Sequence, residues 1–302
     1  MSNAMKRRAL GLASTVFLLV FSAGTQAGLQ EGLDAYRSGK YSTAMKEFAP
    51  LAAKGNAVAL FYLGMMNDLG QGVAINYKKA AARYLDAAQN GYAEAQFNIG
   101  AMYREGRGVQ QDVNEAVSWY RKAAEQGHAE AQYHLAVMYA KGQGVPQDDK
   151  EAESWFSKAA EQGHAIAQFN LGQIYRAVQD YTAAAKWYWK AADQGYASAQ
   201  LNLGLMYRMG LGLQQDYKVA LFLFRKAAEQ GQARAQFNLG EMYLNGEGLR
   251  VDMVNAHKWF TLAAASGEAD AEAMLKEVEE KMTAQQVSEA KALLQDWLAE
   301  RK

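Results

Sequence analysis

From Gly55 onward the apolar, small and polar positions recur in a fixed rhythm. Gly55, Gly91, Gly127, Gly163, Gly195, Gly231 and Gly267 open successive stretches of 36, 36, 36, 32, 36 and 36 residues. A representative stretch, 91–126, reads GYAEAQFNIGAMYREGRGVQQDVNEAVSWYRKAAEQ. Its first half, in consensus Ala-x-Ala-Gln-aromatic-Asn-Leu-Gly-x-Met-Tyr, is rich in helix formers and sets apolar residues at helical spacing. A Gly-x-Gly pair then stops that helix and offers positive-φ positions for a turn (Gly106 and Gly108, Gly142 and Gly144, Gly210 and Gly212, Gly246 and Gly248). An Asp or Asn follows (Asn76, Asp112, Asp148, Asp216, Asp252), suited to cap a second helix. Each stretch predicts a helical hairpin.

Small residues recur where two helices must approach: Gly64, Gly100, Gly172, Gly204 and Gly240 in the first helix, and Ala123-Ala124, Ala159-Ala160 and Ala227-Ala228 in the second. Tyr103, Tyr139, Tyr175, Tyr207, Tyr243, Trp119, Trp155, Trp187 and Trp259 recur as the fillers, which reads as core. A hairpin this small cannot bury its own apolar face, so the units are expected to stack into an all-α solenoid of antiparallel helix-turn-helix repeats, a right-handed superhelix.

The expected organisation is a leader over 1–27, an N-terminal helix pair over 28–54, six repeats over 55–90, 91–126, 127–162, 163–194, 195–230 and 231–266, and a C-terminal cap over 267–302. The repeat opening at Gly163 lacks the Gly-x-Gly extension, its loop being Ala177-Val178-Gln179-Asp180-Tyr181, and Tyr36 to Tyr41 resembles this short form. At the far end Thr283 and Gln286 read as a capping box, with Met282 and Val287 as a hydrophobic staple. The helix they open runs to about Glu300 and offers Leu293, Leu294, Trp297 and Leu298 to cover the last repeat.

The N-terminus changes the picture of location. Met1 to Ala4 read as an expression scar ahead of a start at Met5. Lys6-Arg7-Arg8, an apolar run from Ala9 to Ala23, and small residues before Gly28 read as a secretory signal peptide, the competing reading being an uncleaved N-terminal anchor. The run is short of the ~20 residues a transmembrane helix needs. The expectation is an exported chain, periplasmic or secreted, with no membrane span once the leader is removed.

The composition then excludes several classes. With 32 Lys+Arg and 32 Asp+Glu the whole chain is formally neutral. Three of those basic residues lie in the leader and no acid precedes Glu31, so the chain from Gly28 carries 29 basic against 32 acidic residues. That balance gives no basic field for nucleic acid. The absence of Cys removes disulfides, thiolate metal sites and a Cys nucleophile. The four histidines, His128, His134, His164 and His257, lack a carboxylate set at ligand spacing, and no hydrolase, phosphate-loop or dinucleotide motif is present. No metal, cofactor or catalytic residue is therefore expected.

The motif Ala-x-Ala-Gln-x-Asn-Leu-Gly, the Gly-x-Gly turn and Trp-aromatic-x-x-Ala-Ala resemble Sel1-like repeats, bacterially abundant relatives of tetratricopeptide repeats. The resemblance spans Gly55 to about Gly267, weakest in the first unit, where Leu60, Asn67 and Arg83 replace Gln, Tyr and Trp. It implies a non-enzymatic scaffold for protein assemblies, often in the bacterial envelope.

Comparing repeats within the chain separates framework from surface. Counting from the opening Gly, position 8 is Asn98, His134, Asn170, Asn202 and Asn238, and position 14 carries Arg104, Arg176 and Arg208. Positions 4, 8 and 11 share one helix stripe, with position 14 beside it. The resemblance to tetratricopeptide repeats implies that the position-8 Asn column lies on a concave face and bonds the backbone of a partner peptide, with the arginines engaging carboxylates. The competing reading is that these Asn residues bond a neighbouring helix and fix repeat stacking. Trp189, where sister repeats carry Arg121, Ser157, Arg225 or Thr261, is either local packing or an exposed contact. The functional expectation is a scaffold binding an envelope protein or peptide. The alternatives are a glycan-binding or hydrolytic cell-wall factor, and a structural protein that self-associates.

Overall fold

The computed structural model describes residues 26–300, so the leader lies outside the described residues apart from its last two positions. The described chain is helical throughout, with no strand: α1 (26–37), α2 (Tyr41–Ala52), α3 (Ala57–Leu69), α4 (Tyr77–Gln89), α5 (Ala93–Glu105), α6 (Val113–Glu125), α7 (Ala129–Lys141), α8 (Asp149–Glu161), α9 (Ala165–Ala177), α10 (Tyr181–Asp193), α11 (Ala197–Met209), α12 (Tyr217–Glu229), α13 (Ala233–Asn245), α14 (Met253–Ala265), α15 (Ala271–Lys281) and α16 (Ala284–Ala299). It divides into two compact units, one ending at Trp155 and one beginning at Phe156. Within each, consecutive helices pack on one another, α2 to α7 in the first and α9 to α15 in the second. This is the α-solenoid arrangement, built from hairpins of a first and a second helix.

One contact recurs in the hairpins of both units. The glycine at position 10 of five repeats (Gly64, Gly100, Gly172, Gly204 and Gly240; the repeat opening at Gly127 has Ala136) leaves room for an aromatic ring on the second helix. A Cβ on Gly100 would stand 2.9 Å from Tyr120, and one on Gly204 2.7 Å from Phe224. The rings so received, Tyr84, Tyr120, Tyr188, Phe224 and Phe260, are fully buried. Each such ring contributes about 1.5–3 kcal/mol by leaving water. Gly32 against Phe48 makes the same contact in the α1–α2 pair, which is therefore a hairpin of the same kind. The tryptophan preceding the ring is less central: Trp119 and Trp259 are buried, whereas Trp187 is half-buried.

The turns follow from local chemistry. Asp112 accepts from the amides of Asn114 and Glu115, and Asp216 from those of Lys218 and Val219. Asn76, Asp148 and Asp252 likewise cap α4, α8 and α14. The second glycine of each Gly-x-Gly pair has a further duty. Gly108 has φ +75° and lies directly on the backbone carbonyl of Tyr77 in the preceding repeat, where no side chain fits. In the shortened repeat Gln179 takes the positive φ instead, at 62°.

The second unit ends in two helices. His257 of α14 is buried and its Nε2 lies 2.8 Å from Glu279 of α15. Thr283 and Gln286 form the reciprocal capping box that opens α16, which packs on α14 through Leu294 and Trp297. Trp297 meets Trp259 edge to face with centroids 5.8 Å apart. Leu298, expected in this seam, stays exposed.

Candidate functional site: the first-helix stripe

The glutamine at position 6 sets the frame behind the stripe. Gln96, Gln132, Gln168, Gln200 and Gln236 are all buried. Gln96 Nε2 donates to the Ala88 carbonyl of the previous repeat at 3.1 Å, and its Oε1 accepts from Gln126 at 2.7 Å. Gln200 does the same with Ala192 and Gln230, and Gln236 with Ala228 and Ser266. A buried amide unpaired at either end costs about 1–3 kcal/mol, so this column ties each repeat to its neighbour. The motif named these glutamines without marking them. Their identity from repeat to repeat was the signal.

The position-8 and position-14 residues meet across repeats. Arg208 Nη1 donates to the Asn238 amide oxygen at 3.1 Å and to Glu241 at 2.8 Å, while Nε and Nη2 hold both oxygens of Glu247 at 2.6 and 3.0 Å. Burial opposes the guanidinium charge, but the Glu247 and Glu241 carboxylates outweigh it and raise its pKa above the ordinary arginine value. Asn238 is only 3% exposed and its amide nitrogen donates to Arg234 O. Arg104 Nη1 reaches His134 Nδ1 at 3.0 Å. Arginine can only donate, so that nitrogen accepts and the ring proton sits on Nε2, which faces Glu130 at 3.5 Å. The His134 ring also stacks on Tyr120, 5.4 Å between centroids.

The same junction occurs with its charges exchanged. Asp68, at position 14 of the first repeat, pairs with Arg107 at position 17 of the next, as Arg208 pairs with Glu247. Position 14 thus serves repeat stacking in each of these junctions. Asn98 faces the same seam, where its amide lowers a Tyr84 pKa that burial raises. Asn238 and Arg208, two rungs of the expected ladder of amides and guanidinium groups, are both engaged by the fold.

Three of the expected residues are differently placed. Arg176 is exposed, and its charge holds down the pKa of Tyr188, which burial raises and whose hydroxyl donates to Gln173 at 2.8 Å. The next repeat offers it Leu205 and Leu211 where Arg208 finds Glu241 and Glu247, so no carboxylate draws it across. Asn170 makes one local bond, to Ile166 O at 2.9 Å, and Asn202 is half-buried. His128 and His164 are structural: each ring Nδ1 accepts the amide three residues on, at 3.1 Å, capping α7 and α9. Among the described residues no group of His, Asp and Glu converges as a metal site.

Hairpin repeats locked by a buried amide column define an α-solenoid repeat protein. The chain belongs to the Sel1 repeat family, whose repeat matches residues 57–92, 93–128, 129–164, 165–196, 197–232 and 233–268. It is similar to the crystal structure of c5321, described as a protective antigen of uropathogenic Escherichia coli strains with this repeat fold. That match is 33% identical, covers 91% of this chain and 68% of that one, and has a TM-score of 0.64. A Sel1 repeat protein from Oxalobacter formigenes is also 33% identical over 78% of this chain and 96% of its own, with a TM-score of 0.68. No curated protein matches. Sel1 repeat proteins are generally protein–protein interaction scaffolds.

Proposed function

We propose that the chain is a non-enzymatic scaffold of the bacterial cell envelope that binds a partner protein or peptide through the first-helix stripe of its second unit. The observation that carries this is the contrast between Arg208, whose guanidinium is engaged by Glu247, Glu241 and Asn238, and exposed Arg176. Asn170, Arg176 and Asn202 present amide donors and acceptors beside a positive charge that has no ion-pair partner among the described residues, which suits a peptide backbone with an acidic side chain or terminal carboxylate. Asn98, Arg104, His134, Arg208 and Asn238 then act mainly to hold that surface in register. The signal-peptide pattern supports the envelope location.

The test is affinity capture from a bacterial envelope fraction with the intact protein and an N170A/R176A/N202A variant. Loss of the partner by a variant that melts as the parent does supports the stripe. Undiminished recovery removes it. Sequencing the N-terminus of the exported protein tests the location, with Gly28 as the expected first residue.

A further inference from the structure

Trp189 and Phe222 stand on the second helices of neighbouring hairpins, α10 and α12, and are 57% and 58% exposed. Both line an open cleft of ≈ 530 Å³ whose floor is Ala192, Leu203 and Leu223. That volume lies within the roughly 300–1,000 Å³ of ordinary ligand pockets. The repeat itself does not require either ring. Sister repeats carry Leu85, Arg121, Ser157, Arg225 and Thr261 at the register of Trp189, and Ala82, Ser118, Ser154, Lys186 and Lys258 at that of Phe222, with no aromatic ring at either. Two large aromatics kept in water at positions where the other repeats need no ring mark a contact surface.

The remaining chemistry of the cleft selects its occupant. The polar groups of the floor are engaged internally: Gln200 Nε2 donates to Ala192 O, and Gln230 Nε2 to Gln200 Oε1 and to Lys226 O. The Gln200 amide therefore has no group left for a sugar's hydroxyls, and the free polar groups of the cleft stand at its rim. At the rim, Asp193 and Glu229 are the last residues of α10 and α12, where the negative ends of both helix dipoles add to their charge. Neither carboxylate has an ion-pair partner among the described residues. The single cation in the lining, Lys226, lies 5.7 Å from the Phe222 ring centroid. The cleft is apolar at its floor and net negative at its rim.

We propose that this cleft is a second interaction surface, separate from the Arg176 stripe, that takes a large aliphatic or aromatic side chain flanked by Lys or Arg on a peptide segment of a partner protein. The apolar side chain lies between Trp189 and Phe222, and the flanking cation meets Asp193 and Glu229.

The test uses the full chain and immobilised dodecapeptides with a central Leu or Phe flanked by Arg. Matched peptides carry Glu flanks or a central Ala, and a chito-oligosaccharide serves as the glycan probe. Trp189→Arg and Phe222→Ser install residues that sister repeats already carry, so both variants keep the fold. The Arg-flanked peptides bind, and each variant weakens them about tenfold or more. D193N/E229Q weakens them less and flattens the salt dependence. N170A/R176A/N202A changes nothing, which separates this surface from the proposed stripe. The proposal is overturned if the Arg-flanked peptides do not bind, if Glu-flanked ones bind as well, or if W189R leaves binding intact. It is equally overturned if W189R abolishes retention of the oligosaccharide instead, or if sedimentation shows a dimer that F222S dissolves.

Discussion

Arg208 and Asn238, thirty residues apart, are joined by a guanidinium-to-amide hydrogen bond of 3.1 Å between consecutive repeats. The same spacing separates Arg104 from His134. The column that looked most like a row of ligand contacts is in these places a row of stacking contacts, and stability is its first expected readout.

Arg208→Ala leaves Glu247, Glu241 and the Asn238 oxygen without their donor in a half-buried seam. The expected loss is about 2 kcal/mol of unfolding free energy, as for charged hydrogen bonds. Arg176→Ala, at an exposed position, changes stability by no more than about 0.5 kcal/mol. Denaturant unfolding of the two variants checks the contrast, and an equal effect contradicts it.

Replacing Gln200 by Leu removes the donor to Ala192 O and the acceptor for Gln230 at once. A loss of about 1–3 kcal/mol is expected, with hydrogen-exchange protection falling first where α10 meets α11. Uniform loss across the second unit would mean that the repeats unfold as one block instead.

Gly100→Ala pushes a methyl group against Tyr120 at 2.9 Å and the Ala116 carbonyl at 3.3 Å. Overpacking of this kind costs about 1–3 kcal/mol. The double variant G100A/Y120L makes room for the methyl and should recover part of the loss in the same melting experiment.

The His128 cap makes the first unit sensitive to acid. Burial lowers the His128 pKa below 6.5, overriding Glu94 and Glu130, which favour the proton. The neutral ring accepts the Ala131 amide, and an imidazolium cannot. The cap's contribution, about 1 kcal/mol, is therefore complete above pH 6.5 and fades as the pH falls through the lower folded-state value. Melting temperatures between pH 7.5 and 5 should show the drop in the parent and a smaller one in H128N, whose cap does not titrate.

Much of the hairpin was legible because its causes are local. Asp112 and Asp216 cap the helices their positions suggest, and Thr283 with Gln286 forms the box that the spacing implies. What escaped depends on which neighbour a side chain meets. The sequence shows Arg104, Arg176 and Arg208 as equals, yet Glu241 and Glu247 engage the last while Leu205 and Leu211 leave Arg176 outside. The buried glutamines were visible in every repeat after the first, but nothing in a single repeat says that an amide at position 6 faces a carbonyl eight residues back. Trp189 stood out as an anomaly, whereas its companion Phe222 becomes meaningful only when α10 and α12 lie side by side.

That glutamine seam also governs how such a chain can change length. Gln96, Gln200 and Gln236 each bond a carbonyl eight residues upstream, so the seam is written in the short segment where two repeats join. Excising one whole period, such as 197–232, brings Gln236 to the place of Gln200 and restores an equivalent joint. A cut that parts a glutamine from that carbonyl without restoring the period severs it, whereas the loop shortened at 177–181 leaves the bonds of Gln168 and Gln200 intact. Insertion and loss of sequence are tolerated in whole periods, which lets a lineage lengthen or shorten its reach by recombination without redesigning a single interface.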